Sequence, residues 1–227
     1  MRTQELHRDA GFTLIEMLIV TSLVGILAGV AVPNLMSSRV TANEAAVIAT
    51  LRAISTAQYQ FQSAGELDLN RDAGFEYGTL GELAALDGLR GSGRVLTRNL
   101  LSAPVAAVDA TGVVTNHGFR FCLYLPDAAG VGVAGLPSNA ATIDPVQSRL
   151  YWSCLAWPIT AGTSGNTTFF VNQQGQVLKT RDAGYSGSTS VPPAGAGLVG
   201  VPANQINSQT LAVDGVGADG RNWVAVH

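Results

Sequence analysis

From Phe12 to Val32 the chain reads FTLIEMLIVTSLVGILAGVAV, 21 residues with a single charge, Glu16. Wound as an α-helix at roughly 1.5 Å per residue, this run spans ~31 Å, the hydrocarbon thickness of a bilayer. A secretory signal would show a basic start, an apolar stretch of about 7–15 residues and a small-residue cleavage site. The preceding residues, MRTQELHRDAG, are instead charge-balanced, with Arg2 and Arg8 against Glu5 and Asp9. The apolar run is also too long, so a retained membrane helix is the better reading.

Glu16 is the anomaly. A carboxylate in a bilayer-spanning helix costs ~2.5–3.5 kcal/mol on insertion scales, and such a residue usually has a partner. If the chain is cut after Gly11, Phe12 gains a free ammonium one helical turn before Glu16. Staggered copies could then pair Glu16 of one subunit with Phe12 of the next, neutralising both charges inside an apolar bundle. The alternative is that Glu16 stays solvated among the lipid headgroups. Gly25 and Gly29 form a small-xxx-small pair of the kind that lets helices approach closely in lipid. Both glycines and Pro33 weaken the helix locally.

Gly11-Phe12-Thr13-Leu14-Ile15-Glu16 followed by the apolar run resembles the prepilin cleavage and methylation motif of type IV pilins and of type II secretion and competence pseudopilins. The resemblance covers roughly residues 8 to 40. It implies a peptidase cut between Gly11 and Phe12, N-methylation of Phe12, and a registering role for Glu16 in subunit assembly. Pro33 falls where many of these proteins carry a helix-kinking proline. The leader departs from the family by lacking net positive charge. The resemblance further implies a single-pass subunit of a bacterial inner membrane with its head in the periplasm. Its partners would be other pilins or pseudopilins, the prepilin peptidase, a membrane platform protein and an assembly ATPase.

Beyond Pro33 the helix is expected to run to about Gly65. Val40, Val47, Leu51, Ile54 and Phe61 recur at helical spacing, and Ala42, Ala45, Ala46, Ala49, Ala53 and Ala57 are read as broadening that apolar face. Arg39, Asn43, Arg52 and Gln62 mark the polar side. The expected organisation is a leader over 1–11, a membrane or filament-core helix over 12–33, an amphipathic continuation over 34–65, and an α+β head over 66–227. The long helix would pack its second half on an antiparallel sheet.

Within the head, Thr79-x-x-Glu82 is a capping-box pattern that announces a short helix. Asp68-x-Asn70-x-Asp72, with Glu76 following, alternates oxygen ligands as a calcium loop does, although its glycine falls one place late and no acid stands at the twelfth position. The other reading is a solvated loop whose charge Arg71 partly offsets. Phe119, Phe121, Leu123 and Leu125 alternate along one strand, and Leu150–Trp157 reads as a second. The segments 168–172 and 176–180 flank Gln173-Gln174-Gly175 as a hairpin. The stretch from Tyr151 to Lys179 resembles the C-terminal sheet of pilin-like heads. Residues 182–203, rich in Gly, Ser and Pro, are expected to form an exposed flexible loop. Asn222–Val226 is a candidate edge strand.

Cys122 and Cys154 each sit in a strand-like run. An even count in an exported head fits one disulfide, closing a loop of about 33 residues for ~3–4 kcal/mol. Two separate buried thiols are the alternative.

The formal charge of −3 and the absence of a basic cluster leave no nucleic-acid footprint. Of the three histidines, His7 would leave with the leader and His227 is terminal, so His117 alone could serve an enzyme. Two GxGxxG strings, starting at Gly130 and Gly195, lack the strand and helix that a dinucleotide site needs. The leading expectation is therefore a non-catalytic filament subunit. A secretion pseudopilin and a membrane-anchored binding module that never polymerises are the alternatives.

Overall fold

The computed structural model describes residues 12–181 and 184–226. It divides into two compact units at Arg39/Val40. The expected leader, with the Gly11 side of the cleavage site, lies outside the described residues.

Helix α1 spans Leu14–Ser63 and contains Pro33. In the first unit its apolar side chains, from Leu14 to Met36, are exposed throughout. This segment is long and apolar enough to cross a membrane. In the second unit the helix buries Val47, Leu51, Ile54, Ala57, Gln58 and Phe61. That stripe is narrower than the sequence suggested. Ala42, Ala45, Ala49 and Ala53 face outward, because the branched and aromatic side chains fill the contact with the sheet and leave no room for a wider apolar face. Polar residues help to fix the helix to the head. Gln58 Nε2 donates to Gly78 O at 2.7 Å, and its Oε1 accepts from Gly78 N at 2.9 Å. Gln62 Nε2 donates to Phe75 O and Arg149 O, and Asn43 Nδ2 to Ser164 O.

The head contains short helices α2 (Leu80–Leu83), α3 (Ala103–Ala106) and α4 (Pro145–Ser148), with a 3-10 turn at Pro137–Asn139. Its strands are β1 (Val113–Asn116), β2 (Phe119–Pro126), β3 (Gly132–Ala134), β4 (Ser153–Pro158), β5 (Thr168–Asn172), β6 (Leu178–Thr180), β7 (Gly215–Val216) and β8 (Asn222–Ala225). They form one antiparallel sheet in the order β1-β2-β4-β5-β6-β8-β7, with β3 also on β2. Strand β8, whose place the sequence left open, pairs with β6 through Leu178–Ala225 and Lys179–Val224. The expected helix after Thr79 is α2, capped by Thr79 and Glu82 in both directions.

Both faces of the sheet are covered. Phe119, Phe121, Leu123, Leu125, Cys154, Ala156, Phe169 and Val171 join the α1 stripe in one core. On the reverse face Cys122, Leu155, Trp157, Phe170, Leu178 and Trp223 pack under Tyr185, Ala194, Ala196, Leu198 and Ile206. The described part of the segment expected as an exposed flexible loop is thus a packed layer. Its glycines are there because backbone meets backbone and ring: a Cβ on Gly195 would lie 2.0 Å from Gln205 O, and one on Gly197 2.7 Å from the Phe170 ring. Trp157 Nε1 donates to Gly187 O and Ser153 Oγ to Ala194 O, tying the layer to the sheet. Asp219 receives the Tyr185 hydroxyl at 2.8 Å and the Trp223 indole N–H at 3.1 Å.

The expected disulfide is not made; Cys122 and Cys154 are both free and buried. The register explains why. Cys122 stands opposite Leu155, and Leu123 opposite Cys154. Side chains paired across strands share a face, and neighbours along a strand point oppositely. The two thiols therefore enter opposite cores. Burial pushes the Cys122 thiol up to about 12, and that of Cys154 well up, so both stay protonated and inert.

Candidate functional site

Sequence singled out the start of α1, and the structure gives it a specific geometry. Thr13 is the N-cap, and Met17 N donates the first helical bond to Thr13 O at 3.2 Å. Glu16 occupies the third helical position. Thr13 N and Thr13 Oγ1 donate to Glu16 Oε2 at 2.8 and 2.7 Å, and Glu16 N donates to Thr13 Oγ1 at 3.3 Å. This reciprocal capping box satisfies two of the amides that a helix start leaves orphaned. The sequence carries the same Thr-x-x-Glu pattern here as at Thr79–Glu82. At residue 13 the acid of this pattern lies at the start of an apolar run, where its charge is the more conspicuous feature.

The box holds one carboxylate oxygen and leaves the other directed elsewhere: Glu16 Oε1 takes no hydrogen bond among the described residues. Phe12 is 79% exposed beside it. Farther along, the hydroxyls of Thr21 and Ser22 donate to Met17 O and Ile19 O, so they present no unsatisfied donor to an apolar surrounding. Nothing lies within 4 Å of a Cβ built on Gly25 or Gly29, which leaves that surface open to a neighbour. Pro33 has no N–H to give the Gly29 carbonyl, four residues back, which weakens the ladder there.

The other candidates separate. Among the described residues no three His, Cys, Asp or Glu side chains are grouped to hold a metal, although Asp72 N donates to both Asp68 Oδ1 and Asn70 Oδ1, and Asn70 Nδ2 donates to Asp72 Oδ2. Their oxygens turn to the loop's own backbone instead. Asp68 accepts from Asp72 N and Ala73 N, Asp72 Oδ1 from Gly74 N, and Glu76 Oε1 from Leu69 N. Arg149 Nη1 then pairs with Asp72 Oδ2 at 3.1 Å. Arg71 and Ala73, both at positive φ, turn the chain into this self-closed form. In this form amide hydrogens and the Arg149 guanidinium meet the carboxylate oxygens that were expected to face calcium. His117 sits in the two-residue turn between β1 and β2, with φ of 47° and Gly118 at 74°, as a tight hairpin requires.

A family described as the prokaryotic N-terminal methylation motif matches residues 6–32. The type IV major pilin protein PilA of Myxococcus xanthus is 32% identical over 218 residues, which cover 92% of this chain and 95% of that protein. The type IV wide pilus major component PilA4 of Thermus thermophilus is 46% identical over 52 residues, 23% of this chain and 40% of that protein. No solved structure matches. With a capped apolar helix that carries one acid, an antiparallel head, and similarity along almost its whole length to a pilin, this chain belongs to the type IV pilin family.

Proposed function

We propose that this protein is a structural subunit of a type IV pilus, processed between Gly11 and Phe12, methylated on the Phe12 amine, and assembled through α1. The head would stand in the periplasm while the helix waits in the inner membrane. An assembly ATPase acting through a platform protein would then lift each subunit into an extracellular filament. The two relatives are a type IV major pilin and a type IV wide pilus major component, which favours a pilus over a secretion pseudopilus.

The observation that carries the mechanism is Glu16, with Oε2 held by its own Thr13 and Oε1 without a hydrogen bond among the described residues, in a segment with no other charge from Phe12 to Val32. The capping contacts fix the carboxylate's direction but leave its charge uncompensated. A second subunit's Phe12 ammonium would supply that charge, recovering much of the ~2.5–3.5 kcal/mol that the acid costs in lipid. Gly25 and Gly29 would let the helices approach while this happens. No step requires catalysis by the chain itself; cutting and methylation belong to the peptidase.

The test is Glu16→Leu in cells that make the filament. The variant should accumulate in the inner membrane, with a mature start at Phe12 by intact mass, yet shed no filaments. Normal filaments from this variant would remove the pairing mechanism while leaving the filament role; a wild type that forms no filament would favour the membrane-anchored module. An unprocessed start at Met1 in the wild type would remove the maturation step.

A further inference from the structure

The sheet carries unpaired charges of opposite sign at its two ends. Phe169 stands opposite Lys179, and Lys179 opposite Val224. Residues paired across strands share a face, as do residues two apart along one strand. Lys179, Arg181 just past β6, and Asn222 and Val224 of β8 therefore lie on the α1 side of the sheet. Val177 and Val226, nearer the β5–β6 turn, pack into the core that α1 closes. Toward the other end that cover stops. Val224 is 43% exposed, and Lys179, Arg181, Asn222 and Val224 line an open cleft of about 670 Å³. Neither Lys179 nor Arg181 is in an ion pair among the described residues. The acids nearby are engaged elsewhere: Asp219 with Arg221, Tyr185 and Trp223, and Glu44 with Asn166 N. Asp182 lies outside the described residues.

The opposite end of the sheet, past Pro126 at the close of β2, carries two carboxylates. Asp144 N donates to Pro126 O at 2.9 Å, which brings Asp144 to the start of the Asp127 turn. Asp127 Oδ1 accepts from Ala129 N and Val131 N, and Asp144 Oδ1 accepts from Gln147 N as the cap of α4. Neither acid is in an ion pair among the described residues. Val146, two residues on from Asp144, is 47% exposed. Each end thus sets two like charges with an exposed valine, and the signs are opposite.

The register measures their separation. Phe121 pairs with Ala156, Ala156 with Phe169, and Phe169 with Lys179, so Lys179 is level with Phe121. Asp127 is three strands away and six residues farther along the chain from Phe121, roughly 14 Å across the strands and roughly 20 Å along them. Within the head, α1 runs from the cationic end to the acidic one. Asn43 is tied to Ser164, in the β4–β5 connection, and Gln62 to Arg149, just before β4.

We propose that the Lys179–Arg181 face of one head docks the Asp127–Asp144 end of a second copy. This docking rests on the filament role proposed for the chain: helices packed side by side and staggered bring the cationic end of one head against the acidic end of another. The two surfaces differ, so the contact is heterologous. Each copy keeps one end for the next, and the chain of contacts stays open as a filament requires. Opposite charges select this orientation, and like charges reject the inverted one.

Lys179 is the only lysine in the chain, which makes the contact readable. A carbodiimide joins an amine to a carboxylate that touches it, and the distance within one chain is too long for such a bond. Purified filaments treated with carbodiimide should yield, by mass spectrometry of the digest, a peptide joining Lys179 to Asp127 or Asp144. The same chains dispersed in detergent micelles should yield none. Lys179→Arg should keep the filaments and lose the link. Lys179→Glu with Arg181→Glu should melt as wild type does, because neither cation has an internal partner, yet lose most of its filaments. Wild-type filaments without the link, or a double-glutamate variant with normal filament yield, would overturn the docking and leave the filament role standing. A wild type that makes no filaments would overturn both.

Discussion

Replacing Gln58 with leucine should destabilise the head even though it conserves most of the side chain's volume. Gln58 is fully buried, and both of its amide atoms are spent on one residue, Gly78, whose carbonyl and N–H they meet at 2.7 and 2.9 Å. Neither backbone group of Gly78 has another backbone partner outside the regular elements. Leucine conserves most of the volume but leaves a buried donor and a buried acceptor unsatisfied. At ~1–3 kcal/mol for each orphaned group, and with about 1 kcal/mol returned by the more apolar side chain, the net loss is about 1–5 kcal/mol. Its upper end is a large share of the ~5–15 kcal/mol by which domains are stable, and for a unit of this size the loss lowers the melting midpoint by roughly 2–20 °C. Urea denaturation of the full chain in micelles, extrapolated linearly to water, measures it. Gln58→Glu keeps the acceptor for Gly78 N and loses the donor for Gly78 O, while placing a carboxylate in the core, so it should also be destabilised. A Gln58→Leu variant within about 1 kcal/mol of wild type would show that the amide clamp does not help to fix the helix to the head.

Two further outcomes follow from the same geometry. Cys122 and Cys154 should both react with a thiol reagent only after unfolding, and electrophoretic mobility should be the same with and without reductant; protection from alkylation in the unfolded, unreduced chain would show a bridge and refute the register across β2 and β4. Asp72→Asn should cost under ~1 kcal/mol, since its pair with Arg149 is partly exposed, and added calcium should leave the melting of both proteins unchanged. A calcium-dependent rise in melting temperature that Asp72→Asn abolishes would restore the metal reading.

Much of the functional argument was local and therefore visible in the chain. A long apolar run with one acid, a Gly-Phe-Thr-Leu-Ile-Glu start, and the alternation of Phe119, Phe121, Leu123 and Leu125 each depend on residues a few positions apart. So does the capping box at Thr79 and Glu82, which the structure reproduces. The matching box at Thr13 and Glu16 is equally local, and the structure adds it to the charge that the sequence shows there. What remained hidden depends on distant pairing. Strand parity could be read within β2 and within β4, but a one-residue change in their mutual register would exchange the faces of every side chain, and that register decides where the cysteines point.

Composition misled where small residues serve packing rather than freedom. Gly195, Gly197, Ala194 and Ala196 look like linker residues, yet they are small because the reverse face of the sheet lies directly beneath them. The alanines of α1 look like core and face outward, because Val47, Leu51, Ile54 and Phe61 already fill the space against the sheet. The sequence by itself determined that the chain has a membrane-competent helix with a single embedded charge and an antiparallel head. Only the tertiary structure decided which small residues are buried, which carboxylates are left with partners, and which side of the sheet each thiol enters. Those outcomes depend on contacts between segments tens of residues apart, which local patterns do not specify.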